Sequence, residues 1–165
     1  MAERWTPDRT DRRCYPGPGL DLPVLFGDLD TNMHVNNVMM GRFFEESRVD
    51  THFRAGVPHL LHALGMHNLI ARVAIDYVRE ARYRKPLHVR LRVASIGTTS
   101  ATYEQAAWQD EECVALAEVV AVCRSADGAA AWPDEARAAL ERLADPTRRH
   151  HAAEAETPGP PPVPK

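Results

Sequence analysis

The sequence predicts an α+β fold in which one long helix packs against a continuous antiparallel sheet. Residues 37–54 have the spacing of an amphipathic helix. The chain between residues 69 and 123 then shows four strand patterns separated by polar turns. One further strand precedes the helix, so the order is strand, long helix and four strands. That order excludes a doubly wound parallel sheet.

The first predicted strand is Leu22–Phe26. The helix is expected to begin after Asn36, because an asparagine side chain caps the free N–H groups of a first turn. Gly56 and Pro58 are expected to end it. The residues predicted to face the core are Val38, Met39, Phe43, Phe44 and Ser47. The charged residues predicted to lie largely off that stripe are Glu45, Glu46, Arg48 and Asp50.

The strands predicted after the helix cover residues 69–78, 87–93, 100–108 and 113–123. The second of them alternates apolar and polar residues, the period of two expected of a half-buried strand. Residues 109–111 form a polar hairpin turn. Pro133 marks the start of a short closing helix over 134–143.

The 165 residues suffice for one core, which is predicted over residues 21–144. Residues 1–20 mix Arg, Asp, Pro and Gly and are predicted to be a flexible, extended lead-in. Residues 145–165 are rich in Pro, Ala and Glu and are predicted to be disordered. The prolines of this tail belong either to a solubilising segment or to a ligand for a proline-recognition module.

The composition indicates an ordinary soluble protein, with 44% hydrophobic and 26% charged residues. A formal net charge of −3 gives no reason to expect a nucleic-acid partner. The three cysteines lack a metal-binding spacing, and neither a secretory leader nor an apolar run long enough to span a bilayer is evident. We therefore expect a cytoplasmic protein without membrane insertion.

The stretch with candidate chemistry is residues 28–37, Asp-Leu-Asp-Thr-Asn-Met-His-Val-Asn-Asn. It places the Asp30 carboxylate and the His34 imidazole just before a helix N-terminus, whose free N–H groups carry partial positive charge. Such donors can polarise an acyl carbonyl, and the carboxylate can act as a base on water or as a nucleophile. The same residue types also describe an ordinary capped turn.

This run, followed by Phe43, Glu45, Glu46 and Arg48, resembles the hotdog thioesterases of the 4-hydroxybenzoyl-CoA type. It is also similar to the Asp-x-Asn-x-His-Val-Asn-Asn segment of acyl-ACP thioesterases. Residues 75–81, Ile-Asp-Tyr-Val-Arg-Glu-Ala, resemble a later strand of those enzymes. The resemblance spans about residues 20–144 and implies a single hotdog domain, an antiparallel sheet wrapped around one long helix. It also implies thioester hydrolysis without a cofactor.

The resemblance assigns roles to individual residues. Asp30 corresponds to the catalytic carboxylate, and Asn32 and His34 are expected to orient the water or the acyl carbonyl. Glu80 falls where the acyl-ACP enzymes place a second carboxylate.

The asparagines at the helix entrance, Asn36 and Asn37, are expected to offer backbone N–H groups to the oxyanion. The chain departs from the acyl-ACP enzymes at Ala81, where they carry a cysteine, so a mechanism that needs that cysteine is in doubt. Those plant enzymes also have two hotdog units in one chain. This chain has one, so we expect a homodimer or homotetramer.

The segment 79–92 is rich in cations that match the phosphates of coenzyme A or of a phosphopantetheine arm, although the solvated face of a strand looks the same. These cations are Arg79, Arg82, Arg84, Lys85, Arg90 and Arg92. Three histidines, His59, His62 and His67, are spaced too loosely to predict a metal site. Nearby apolar residues are expected either to shape an acyl pocket or to pack under a loop: Leu60, Leu61, Leu64 and Met66.

The expected reaction is hydrolysis of acyl-CoA, in preference to acyl-ACP, within fatty acid metabolism. A hotdog hydratase or dehydratase is one alternative, and a non-catalytic acyl-CoA-binding domain is another. The four-residue spacing of Asp30 and His34, followed by Val-Asn-Asn, resembles the thioesterases more closely than the hydratases. No DNA-binding helix-turn-helix or basic arm is evident.

Overall fold

A computed structural model of the chain describes residues 7–15, 17 and 19–144. The predicted tail, residues 145–165, lies outside the described residues. The helices are α1 (Pro7–Thr10), α2 (Asn37–Arg54), α3 (Val57–Ala63) and α4 (Asp134–Ala144), with 3₁₀ turns at Arg12–Cys14 and Phe26–Asp28. The strands are β1 (Leu20–Leu22), β2 (His67–Tyr77), β3 (Leu87–Ile96), β4 (Ser100–Gln109), β5 (Glu112–Ser125) and β6 (Gly128–Ala129).

All strand pairs are antiparallel, and the order across the sheet is β1-β3-β4-β5-β2, with β6 added to β5. The predicted α+β fold, a curled antiparallel sheet with one long helix, is therefore confirmed. The hairpin between β4 and β5 turns at Asp110, whose φ is 53°. Among the described residues, strand β2 lies at an end of the sheet and pairs only with β5. The long strand β2 is therefore an edge of the sheet.

Helix α2 begins where the sequence predicts, because the Asn36 side chain accepts a hydrogen bond from the Val38 N–H group at 2.9 Å. Its buried face differs from the predicted stripe. Val38 is 75% exposed, and the residues that face the core are Met40, Phe43, Phe44, Ser47, Arg48 and His52. Positions four apart along this set lie on one face of a helix, so the true stripe is rotated by about one residue.

Arg48 is buried, although its charge predicted a position off the core-facing stripe. It donates to Oε1 of Gln105 at 3.1 Å, and the Gln105 amide donates to the carbonyl of Phe44 at 2.8 Å. A buried polar side chain persists where hydrogen bonds offset the loss of hydration. Gln105 lies in the middle of β4, so this interaction joins α2 to the centre of the sheet.

The first predicted strand is also misplaced. Strand β1 is Leu20–Leu22, which pairs with β3, and Phe26 lies in a 3₁₀ turn with its side chain 67% exposed. Pro23 follows β1 and has no N–H group to continue the ladder. The turn is stabilised by the Asp28 side chain, which accepts from the Leu25 N–H group at 2.8 Å.

The N-terminal segment, residues 7–15, is packed rather than extended. Tyr15 is fully buried and meets Trp108 edge-to-face, with ring centroids 5.4 Å apart. The Trp108 indole donates to the carbonyl of Thr10 at 3.0 Å, and Arg90 donates to the carbonyl of Tyr15 at 3.2 Å. This segment therefore covers a second apolar cluster, separate from the one that holds α2. No helix among the described residues is long and apolar enough to cross a bilayer.

His52 lies on the buried face of α2 with 4% of its surface exposed, and its ring is 4.9 Å from that of Tyr103. Its Nε2 atom has no hydrogen-bond partner in the described part of the chain. Burial, with a smaller effect of the neighbouring Arg48 charge, lowers the pKa of His52 from 6.5 to about 4. The folded protein therefore keeps this ring neutral at pH values where the unfolded chain protonates it.

We expect His52 to make folding sensitive to acid. Between pH 6.5 and 4 the unfolded chain binds the extra proton, so stability is complete above this window and falls as the pH decreases through it. The loss from pH 7.5 to pH 5 should be roughly 2 kcal/mol. Urea unfolding of His52→Phe should show a smaller acid loss than the wild type, whereas His62→Gln, at an exposed position, should behave as the wild type. An unchanged acid loss in His52→Phe would contradict this assignment.

Candidate active site

The segment between residues 28 and 36 is a loop closed by its own backbone. The Asp30 N–H group donates to the carbonyl of His34 at 2.8 Å, and the Met33 N–H group donates to the carbonyl of Asp30 at 3.1 Å. Met33 adopts the left-handed region with a φ of 63°, which lets the chain reverse tightly. The Asn36 N–H group donates to the carbonyl of Asp28 at 2.8 Å. The loop therefore has a fixed shape immediately before α2.

The carboxylate of Asp30 takes part in this closure through one oxygen. Its Oδ1 accepts from the N–H groups of Asn32 at 2.8 Å and His34 at 3.1 Å, as aspartate does in Asx turns. Within the described residues, Oδ2 has no hydrogen-bond partner. The capped turn that the sequence suggests is present, and it leaves the second oxygen free to act on a ligand.

His34 joins this loop to the segment that follows β2. Its Nε2 lies 3.1 Å from Oε2 of Glu80, a contact that is an ion pair when the imidazole is protonated. The backbone brings the two together, because His34 forms a β-bridge with Arg82 and the Val35 N–H group donates to the carbonyl of Ala81 at 2.8 Å. Four predicted site residues, Asp30, Asn32, His34 and Glu80, thus lie in one cluster.

The first turn of α2 does not offer all the donors that the sequence suggests. The N–H group of Asn36 is used by the Asp28 carbonyl, so it is not available to an oxyanion, and the N–H group of Val38 is capped by the Asn36 side chain. The Asn37 N–H group has no partner in the part of the chain that the structure describes. Because Asn37 is also exposed, its N–H group is a donor that a ligand can reach at this end of the helix.

Tyr77 lies beside this donor, and sequence reasoning did not identify it. Its hydroxyl donates to the carbonyl of Asn37 at 2.8 Å and so joins the end of β2 to the start of α2. Partial burial raises the pKa of the Tyr77 hydroxyl, which keeps it a donor at neutral pH. The only available signal was a tyrosine at the end of a strand, which is too common to predict a site.

The predicted cations lie around a polar pocket of about 380 Å³, lined by Arg79, Glu80, Arg82, Lys85, Gln109, Asp110, Glu112 and Val114. The pocket adjoins the Asp30 cluster because Glu80 belongs to both. It is less positive than the sequence suggests, since Arg79 lies 3.4 Å from Glu112 and Lys85 lies 2.5 Å from Asp110. Both acids belong to the β4–β5 hairpin, which is distant in sequence from Arg79 and Lys85.

Arg82 has no ion-pair partner among the described residues, so it is the cation most available to an anionic ligand. Arg84 does not line the pocket, and its guanidinium lies over the ring of Tyr83. Arg90 and Arg92 instead hold the N-terminal segment, through bonds to the carbonyls of Tyr15 and Cys14. Three of the six predicted cations therefore line the pocket.

A second, mainly apolar pocket of about 480 Å³ lies between α2, α3 and β2. The residues that line it are Phe53, Pro58, His59, Leu61, His62, Ala63, Met66, His67 and Asn68. Two of the four predicted acyl-pocket residues, Leu61 and Met66, are among them. Leu60 packs on the core instead, and Leu64 is 61% exposed. Among the described residues no group of histidines, cysteines or carboxylates is arranged to hold a metal ion.

Both the sequence and the fold of this chain match known proteins. The family model of the thioesterase-like superfamily matches residues 24–140. No curated protein matches the chain. A thioesterase from Thermus thermophilus, solved in complex with coenzyme A and zinc, is 26% identical with a TM-score of 0.69, over 78% of this chain and 94% of that one.

Two further solved structures share the fold. A protein from Pseudomonas aeruginosa is 26% identical with a TM-score of 0.72, over 81% of this chain and 94% of that one. A 1,4-dihydroxy-2-naphthoyl-CoA thioesterase from Synechocystis is 16% identical with a TM-score of 0.68, over 76% of this chain and 96% of that one. The family match begins at residue 24, so the packed segment 7–15 is additional to it.

Proposed function

The chain belongs to the thioesterase-like superfamily and is a thioester hydrolase, and from this we propose that it cleaves acyl-CoA with Asp30 as the catalytic carboxylate. The observation that supports this assignment is the position of Asp30. One carboxylate oxygen is fixed by two backbone N–H groups and the other is free, next to a helix whose Asn37 N–H group is also free.

In the proposed reaction the substrate carbonyl oxygen accepts a hydrogen bond from the Asn37 N–H group, assisted by the positive end of α2. Asp30 removes a proton from water while the water oxygen forms a bond to the thioester carbon. The carbon–sulfur bond then breaks, the carboxylic acid is released, the thiolate leaves with its electron pair and the proton on Asp30 passes to solvent. The thiolate leaves without being protonated, so the reaction needs no general acid at the sulfur atom.

Asp30 could instead attack the thioester carbon directly and form a mixed anhydride, which water then hydrolyses. The two routes differ in whether the acyl group is ever attached to the protein. Acid quenching during the first turnover of an acyl-labelled substrate distinguishes them, because only the anhydride route leaves label on the protein.

Coenzyme A is favoured over an acyl carrier protein by the polar pocket beside Glu80. Arg82 offers an unpaired guanidinium there, and a guanidinium binds phosphate oxygens through two parallel hydrogen bonds. The Thermus relative, 26% identical, was solved with coenzyme A bound. An acidic carrier surface would find few unpaired cations, since Arg79 and Lys85 already have carboxylate partners.

A second copy of the chain is proposed to complete the site. Strand β2 is an edge whose outer side has no partner strand within the described part of the chain, and it exposes Leu69, Val73 and Tyr77, each at about half of its surface. If two β2 strands pair antiparallel about a two-fold axis through their midpoints, His67 of one copy lies opposite Tyr77 of the other. The apolar pocket of one copy then meets the Asn37 donor of the other and can receive the acyl chain.

The main test compares wild type with Asp30→Asn on a panel of acyl-CoA thioesters, from short to long chains and aromatic acyl groups. The asparagine retains an oxygen for the N–H groups of Asn32 and His34, so the loop should keep its shape. We expect kcat to fall about 100-fold or more, because the base is lost. Asp127→Asn, in an exposed turn, is the matched control and should retain wild-type turnover. Wild-type turnover in Asp30→Asn would contradict the assignment of Asp30 as the catalytic carboxylate. Hydration of crotonyl-CoA without thiol release would favour a hydratase.

The Asn37 N–H group can be removed without removing the helix. Proline is well tolerated at the first helical position, and Asn36 has the extended conformation that precedes proline, with φ −58° and ψ 135°. Asn37→Pro should lower kcat about 100-fold, the cost of removing one oxyanion donor. Asn37→Ala keeps the N–H group and should stay within about threefold of the wild type. Equal kcat in the two variants would show that this donor is not used.

The proposed dimer is tested at the centre of the exposed edge. Val73→Arg should give a monomer by light scattering, because a charged residue on an edge strand opposes pairing. Turnover should fall at the same time if the second copy completes the site. Ala94→Arg adds the same charge at an exposed position on β3 and should remain dimeric and active. A fully active Val73→Arg monomer would show that one copy is sufficient.

A further inference from the structure

The carboxylate two residues before Asp30 is almost completely buried, with Asp28 only 4% exposed. Its Oδ1 accepts from Nη2 of Arg42 at 2.8 Å, and its Oδ2 accepts from the Leu25 N–H group at 2.8 Å. Its carbonyl accepts from the Asn36 N–H group at 2.8 Å. Asp28 therefore connects the turn before the Asp30 loop, the helix cap and the second turn of α2.

Arg42 is fixed on the helix side of this contact. Its Nη1 donates to Oε1 of Glu46 at 2.5 Å, and its Cζ lies 4.5 Å from the centre of the Phe43 ring. The Arg42 side chain is 36% exposed, whereas that of Asp28 is 6% exposed. Removing the guanidinium would leave a buried carboxylate with its N–H donor but without a compensating charge.

We propose that Asp28 and Arg42 are a positioning pair, which holds the Asp30 loop at a fixed place relative to the first turn of α2. This inference rests on the proposed function of Asp30 and the Asn37 N–H group. Those two groups belong to different segments, and both must meet one carbonyl group. The Asp28–Arg42 contact is a charged side-chain link between the segments, and a displacement of about 1 Å at a reacting group can lower a rate about 100-fold.

The test separates positioning from substrate binding. Arg42→Met removes the guanidinium and keeps much of the aliphatic volume. We expect kcat for acyl-CoA to fall about 10- to 100-fold while KM stays within about twofold, because neither residue is placed on the substrate. Arg42→Lys should recover most of the loss, since one ammonium hydrogen bond to Asp28 suffices to restore the link.

A matched control lies on the same helix. Arg54 forms an ion pair with Asp50 at 2.8 Å, at the end of α2 remote from Asp30. Arg54→Met should keep both kcat and KM, whereas a general weakening of α2 would affect both variants alike. Thermal unfolding of each variant, with kinetics measured well below the midpoint, confirms that the assay reports folded protein. Where Arg42→Met does not fold, Asp28→Asn replaces it, with the same expected fall in kcat at unchanged KM.

The outcomes separate this inference from the proposed function. If Asp30→Asn retains wild-type turnover, the proposed function fails. If Asp30→Asn is inactive but the Arg42 and Asp28 variants keep the wild-type kcat, the positioning pair is overturned and the function of Asp30 stands. A raised KM at unchanged kcat also overturns it, because that result places Arg42 in substrate binding. A loss of kcat that lysine does not recover overturns the proposed link through Asp28.

Discussion

The site depends on one constraint, the closure of the loop between residues 28 and 36 onto the first turn of α2. Backbone bonds fold the loop on itself, and Asp30 is both a part of that closure and the proposed reactive group. A carboxylate that accepts two backbone N–H groups through one oxygen has lost most of its rotamer freedom, so its second oxygen is already oriented in the absence of substrate. The entropy of that ordering is lost on folding and not at each turnover. The turn and the candidate active site are therefore one arrangement.

The position of the loop depends in turn on the two faces of the sheet. On one face, α2 is held by its apolar residues and by the bonds among Arg48, Gln105 and the Phe44 carbonyl. On the other face, the segment 7–15 covers Trp108 and fixes the outer side of β4. Arg12 extends this second contact to the β4–β5 hairpin, because it bonds the carbonyl of Asp110, a residue that lines the polar pocket. A segment outside the family match thus contacts a residue that lines the pocket beside Glu80.

Local chemistry determined what the sequence could predict. The Asn36 cap and the bounds of α2 depend on neighbours within four residues, and both were predicted correctly. The rotated buried face, with Arg48 in the core, depends on Gln105, which is 57 positions away. Tyr77 and the acids of the hairpin were missed for the same reason, since nothing near them in the chain indicates their partners. His34 and Glu80 were predicted as site residues from the family resemblance alone. Their spacing along the chain does not indicate that they are in contact.

The site of a single copy is open. The side chain of Glu80 is 62% exposed and that of His34 is 30% exposed, while Asn37 and Tyr77 are also reached by solvent. Hydrogen-bond donors stabilise a developing oxyanion most strongly where water is excluded, since water screens charge and competes for the same oxygen. The described elements leave this side of the cluster uncovered, and the apolar pocket lies at the opposite end of α2. Under the proposed function, we expect cover and acyl-chain binding to come from another surface. The exposed β2 edge ends at Tyr77, beside the donor, so a second chain paired there would supply both.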